Sequence, residues 1–103
     1  MSNDFEIKNG ILRRYHGSDS QVVIPNEVTE IGDYAFGCCE SLTSVTIPDS
    51  VTKIGYEAFK RCTNMTSVSI PDSITNIRYE TFNGCTSLTD VTIPDNEIGR
   101  AHV

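Results

Sequence analysis

Ile47-Pro48-Asp49-Ser50-Val51-Thr52-Lys53-Ile54-Gly55-Tyr56-Glu57-Ala58-Phe59-Lys60-Arg61-Cys62-Thr63-Asn64-Met65-Thr66-Ser67-Val68-Ser69 decides the fold, because the chain says it three times. Residues 24–46 are one copy and 70–92 another, without a gap, at a period of 23 residues. Eight of the 23 columns hold one residue type in all three copies. They are Ile24, Ile47 and Ile70; Pro25, Pro48 and Pro71; Thr29, Thr52 and Thr75; Ile31, Ile54 and Ile77; Phe36, Phe59 and Phe82; Cys39, Cys62 and Cys85; Thr43, Thr66 and Thr89; and Val45, Val68 and Val91. Self-similarity at a fixed period of this length marks units that stack, each too small to bury its own apolar face.

The bulk numbers narrow the classes. At 103 residues the chain holds one small domain. A net charge of -6 argues against nucleic acid, which needs a clustered basic face, and only Arg13-Arg14 and Lys60-Arg61 place cations side by side. The longest apolar run, Val22-Val23-Ile24, spans no membrane. Met1-Ser2-Asn3-Asp4-Phe5 shows no basic stretch leading into an apolar one, so no secretory signal is read and the cytoplasm is the default location.

Within a copy, Leu42-Thr43-Ser44-Val45-Thr46-Ile47 is β-rich, and successive copies are expected to pair in parallel at about 4.8 Å. Pro48-Asp49-Ser50 makes a corner. Val51-Thr52-Lys53-Ile54 has room for a very short second strand, and Gly55 to Cys62 for a turn or two of helix, held by packing rather than propensity. The columns of Leu42, Val45, Ile47, Val51, Ile54, Ala58 and Phe59 pile into one core. Upstream, Phe5-Glu6-Ile7-Lys8, Asn9-Gly10 and Ile11-Leu12-Arg13-Arg14-Tyr15 read as a β-hairpin, since Asn-Gly tolerates positive φ at both turn positions. Residues 1–23 are therefore an N-terminal cap, because the end of a stack otherwise exposes apolar side chains.

The pattern Ile-Pro-Asp-Ser-Val-Thr-x-Ile-Gly, then Ala-Phe, then Cys-x-x-Leu-Thr-x-Val resembles the BspA-like leucine-rich repeats, over residues 5 to 96 and with many columns matching at once. The resemblance implies an α/β leucine-rich-repeat solenoid of about three coils, with parallel strands, short convex helices and the hairpin cap. It also implies a non-enzymatic module for protein binding or adhesion, with the cell surface as a setting, since that family includes surface proteins. A structural spacer or scaffold segment without a ligand is the alternative. The departures are Arg78 in the column of Gly32 and Gly55, and Thr81 in that of Ala35 and Ala58.

Candidate chemistry is sparse. Cys39, Cys62 and Cys85 form a line rather than a tetrahedral cluster, so they read as a buried reduced ladder with no metal, and off-column Cys38 as exposed. His16 lies near Ser18, Asp19 and Ser20, but neighbours in sequence seldom face one another in a triad, and a solvated loop is the better reading. Asp49, Asp72 and Asp95 give one carboxylate per turn, short of the six oxygens that calcium takes. Asn64-Met65-Thr66 is a glycosylation acceptor only in form, since Met65 fills a core column. No cofactor is expected. The candidate protein-binding surface is the concave face of the sheet: Thr43, Ser44, Thr46, Thr66, Ser67, Ser69, Thr89, Asp90 and Thr92. The second candidate is convex: Tyr34, Tyr56 and Tyr79 with Lys60, Arg61 and Arg78.

Residues 93–96 open a fourth unit that stops matching at Glu97. The tail Glu97-Ile98-Gly99-Arg100-Ala101-His102-Val103 can be written GAG ATC GGA AGA GCA CAC GTC, which from its second base is the start of a common sequencing adapter. Against the competing reading, that Glu97-Ile98-Gly99 is a remnant of Glu30-Ile31-Gly32 with the Val-Thr pair lost, residues 97–103 are accordingly read as a non-native tail on a fragment of a longer repeat protein. On that reading the last coil exposes Phe82, Leu88, Val91 and Ile93 and invites end-to-end self-association.

Overall fold

The computed structural model describes residues 4–74, 77 and 79–92. Its strands are β1 (Phe5–Lys8), β2 (Ile11–Tyr15), β3 (Gln21–Val23), β4 (Glu30–Ile31), β5 (Ser44–Thr46), β6 (Lys53–Ile54), β7 (Ser67–Ser69) and β8 (Asp90–Thr92). They make two four-stranded sheets, β3-β5-β7-β8 and β1-β2-β4-β6.

The first sheet is the repeat made visible. Every pairing in it is parallel and every step is 23 residues, so Val22, Val45, Val68 and Val91 share a row. Strand alternation sends that row inward, where Val22, Val45 and Val68 are 3–4% exposed, and sends Val23, Thr46 and Ser69 to solvent. A corner follows each strand. The amides of Val28, Val51 and Ile74 donate to the carbonyls of Pro25, Pro48 and Pro71 at 3.1, 3.1 and 3.2 Å, which closes the same four-residue turn in each copy.

The hairpin turns on Asn9 and Gly10, with φ of 55° and 80°, the positive pair that a two-residue hairpin turn requires. Its second strand continues into the second sheet: β2 pairs in parallel with β4, and β4 with β6, aligning Leu12, Ile31 and Ile54. The hairpin thus occupies the column of the short repeat strands. One consequence is a file of five aromatic rings, Phe5, Tyr15, Phe36, Phe59 and Phe82, with successive centroids 5.2, 5.3, 5.0 and 5.7 Å apart. Two of those rings come from the hairpin.

The expected convex helices are almost absent among the described residues, where one short 3-10 helix stands for them, and the body is strand-rich. In the first two copies these segments are hydrogen-bonded turns, and in the third a single 3-10 turn, Tyr79–Phe82. The backbone bonding explains it. Amides alternate: Ala35, Gly37 and Cys39 close turns onto Gly32, Tyr34 and Phe36, while Tyr34, Phe36 and Cys38 donate to Tyr56, Ala58 and Lys60 of the next copy at 3.2, 2.7 and 2.7 Å. An α-helix needs every amide to bond four residues back. Left-handed backbone at Tyr34, Cys38, Glu57 and Arg61, φ 51–61°, also breaks any helix there.

Phe82 and Leu88, expected to be exposed, are buried at 2% and 7%, and both belong to the apolar core of the described residues; Val91 is half-buried. Ile93, the partial fourth unit and the tail 97–103 lie outside the described residues, as does Arg78.

Candidate functional site

The nine residues of the sheet face are not equivalent. Thr43 Oγ1 donates to the Ser20 carbonyl at 2.9 Å and Thr66 Oγ1 to the Thr43 carbonyl at 3.3 Å, so these hydroxyls bond one copy to the one before. Thr29 and Thr52 do the same on the other side of the unit, donating to Gly10 and Thr29 at 3.3 and 3.4 Å. Ser44 and Ser67 are half-buried in facing positions of β5 and β7, while Thr46, Ser69 and Thr89 are exposed. Asp90 and Thr92 take their backbone places in β8, opposite Ser67 and Ser69.

The cysteine column has the same logic in the interior. Cys62 Sγ donates to the Phe36 carbonyl and Cys85 Sγ to the Phe59 carbonyl, each at 3.0 Å. Hydrogen bonding with Cys39, then with Cys85, and burial push the Cys62 thiol up, which keeps it a protonated donor. All four cysteines are free; Cys38 is exposed and Cys39 half-buried. No group of three or more His, Cys, Asp or Glu among the described residues is placed to hold a metal ion.

Among the described residues His16 bonds a carboxylate and no serine. Its Nε2 lies 2.9 Å from Glu6 Oε1 across the hairpin, and that contact holds the Glu6 carboxyl below its ordinary value. The Asp19 amide donates to Tyr15 Oη at 3.2 Å. Asn64 Nδ2 donates to the Glu40 carbonyl at 2.6 Å, and Met65 is fully buried, so the formal acceptor is occupied in structure.

The turn side carries what the sheet face lacks. Tyr34 and Tyr56, 39% and 40% exposed, meet edge to face with centroids 6.0 Å apart, and Lys60 Nζ stands 5.9 Å from the centre of the Tyr34 ring. Glu57, only 5% exposed, lies beneath them. Its carboxylate accepts from Asn83 Nδ2 at 3.2 Å and pairs with Lys60 at 3.6 Å. A hydrogen bond from Tyr34, ahead of the one from Asn83 and the charge of Lys60, holds this carboxyl below its ordinary 4.5, and the same bond raises Tyr34. Sequence reasoning missed Glu57. Its one signal is its column, where Glu57 and Glu80 both stand in the place of Tyr34.

No helix among the described residues is long and apolar enough to cross a membrane. None of the curated proteins compared with the chain matches it. Among solved structures it is similar to a leucine-rich repeat protein of T. pallidum, at 32% identity and a TM-score of 0.83, covering 91% of this chain and 49% of that one. It is similar to a leucine-rich cell surface protein of Faecalibacterium prausnitzii A2-165, at 25% identity and a TM-score of 0.53, covering 85% and 37%. A leucine-rich repeat protein of Eubacterium ventriosum, 22% identical with a TM-score of 0.51 over 84% and 37%, shares the fold. The chain therefore spans about half the length of the first of these and less of the others. The sequence over residues 7–101 matches the model of the BspA-type leucine-rich repeat region, and the chain belongs to that family.

Proposed function

We propose that the chain is a non-enzymatic protein-binding or adhesion module, a short solenoid of about three coils, from a longer repeat protein whose setting is the cell surface. The observation that carries this is the registered outer row of the parallel sheet, where Val23, Thr46 and Ser69 stand exposed at one strand spacing from each other. Such a row presents equivalent side chains at fixed intervals to an extended partner. Family membership supports it, since leucine-rich repeat modules generally bind proteins. The length of the similar chains and the surface description of one of them support the rest. Within the candidate face, Thr46, Ser69 and Thr89, with Ser44 and Ser67, are the contact positions, whereas Thr43 and Thr66 contribute mainly by holding the copies in register.

The alternative, a spacer with no ligand of its own, has one observation in its favour: the hydroxyls of Thr43 and Thr66 already bond backbone carbonyls. Replacing Thr46 and Ser69 together by Gln separates the readings. A binding module retains proteins that the double variant releases, with unchanged circular dichroism; a spacer retains the same set with either chain.

A further inference from the structure

Arg61 holds left-handed backbone, φ 60°, at the repeat position where the copy before has Cys38, φ 61°, and the next has Gly84, φ 82°. That region favours glycine, so an exposed arginine there carries a conformational cost that the core does not require. Arg61 and Lys60 line an open notch of ≈ 430 Å³, completed by Thr63, Asn83, Gly84 and Thr86. Gly84 keeps the notch floor low, because a Cβ on it would stand 3.0 Å from Arg61 Cγ. The Lys60 ammonium is already answered by Glu57 at 3.6 Å. No carboxylate among the described residues lies within ion-pair distance of Arg61.

We propose that this notch is a docking site for an acidic peptide segment of a protein partner. Arg61 takes one carboxylate through its planar fork, which matches the two oxygens. The Thr63 and Thr86 hydroxyls donate to a second acceptor, and the segment runs on past Lys60 to the Tyr34 and Tyr56 rings. Tyrosine and arginine are the side chains that dominate binding energy at protein interfaces, and the sheet face has neither. Charge favours this place: the chain as a whole, at -6, repels an acidic segment, and Arg13, of the other cation pair, shares its pocket with Glu30 and Asp33, whereas no carboxylate among the described residues lines the notch of Lys60 and Arg61. Two adjacent cations suit one or two carboxylates rather than a sulfated sugar chain, which needs a longer basic run.

This site rests on the protein-binding reading but not on the sheet face, and the test separates them. The probe is a fluorescent hexaglutamate peptide, followed by anisotropy at low salt. Wild-type chain binds it, more weakly as salt is added. Arg61→Gly, which suits the backbone, weakens binding at least about tenfold, with its urea midpoint unchanged or raised. The Gln double variant at Thr46 and Ser69 binds the peptide as the wild type does. Absence of wild-type binding, or binding undiminished by Arg61→Gly, overturns the proposal. So does a heparin hexasaccharide that binds more tightly than the peptide and is lost in the same variant.

Discussion

An added Cβ at Gly55 would stand 2.5 Å from Asp33 Oδ1, 2.6 Å from the Asp33 amide and 2.7 Å from the Gly32 carbonyl carbon. The cause is local: Asp33 Oδ1 accepts the Tyr56 amide at 2.8 Å, so one copy's turn is drawn down on the next at the residue with no side chain. Two of the three close atoms are backbone and cannot swing away. Gly55→Ala is therefore expected to destabilise the fold by about 1–3 kcal/mol, as overpacking does, read as a lower urea midpoint. Thr81 presents the opposite case. It is fully buried in the column of Ala35 and Ala58, and its Oγ1 has no hydrogen-bond partner among the described residues. Thr81→Val keeps the volume and removes the orphan hydroxyl, so it is expected to raise stability by about 1 kcal/mol. An unchanged or lower midpoint would show that the hydroxyl is satisfied after all.

The polar invariant columns act between elements. Threonine and cysteine side chains of one copy donate to carbonyls of the copy before, and the surrounding solvent decides what each bond is worth. Thr66 is exposed, so water replaces its hydroxyl when it is lost, and Thr66→Val is expected to cost under about 1 kcal/mol. Cys62 is fully buried, so Cys62→Ala removes one of two donors to the Phe36 carbonyl, which keeps the Cys39 amide, and leaves the volume of the sulfur empty in a dry interior. It is expected to cost about 1–3 kcal/mol; equal midpoints for the two variants would contradict the argument. The 23-residue count made the places of Val45, Val68, Phe36 and Phe59 readable, since like residues at one period must stack. It left open whether Thr43 and Thr66 face a partner or a neighbouring carbonyl, because invariance follows from either. The convex turns misled for another reason: the count shows that Gly55 to Cys62 has room for a turn or two of helix but not where its amides go, and bonding to the next copy takes alternate ones. Tyr15 escaped the count altogether, standing 21 residues before Phe36, because the pairing of β2 with β4 places it and not the period.

Across the whole molecule, Glu57 is the charge that three copies share: Tyr34 belongs to the first, Lys60 to the second and Asn83 to the third. Those partners favour the ionised form and hold its folded value below the ordinary 4.5 that the unfolded chain shows. A carboxyl depressed in the folded state contributes stability above its unfolded value, and that contribution is lost as pH falls through the folded one. Stability is thus expected to be steady at neutral pH and to fall below about pH 4.5. The other carboxyls titrate over much the same range, so the wild-type curve alone does not isolate Glu57. Glu57→Gln does, because the amide keeps acceptor oxygen for Tyr34 or Asn83 but binds no proton in this range. At neutral pH the variant is less stable than the wild type, and the gap narrows as pH drops through the depressed value, the remaining carboxyls cancelling in the difference. Urea midpoints of both chains at matched pH read this directly. Parallel curves from neutral to acid would mean that Glu57 titrates alike in the folded and unfolded chain, and that the contacts joining Tyr34, Lys60 and Asn83 through it carry no net preference for its charge.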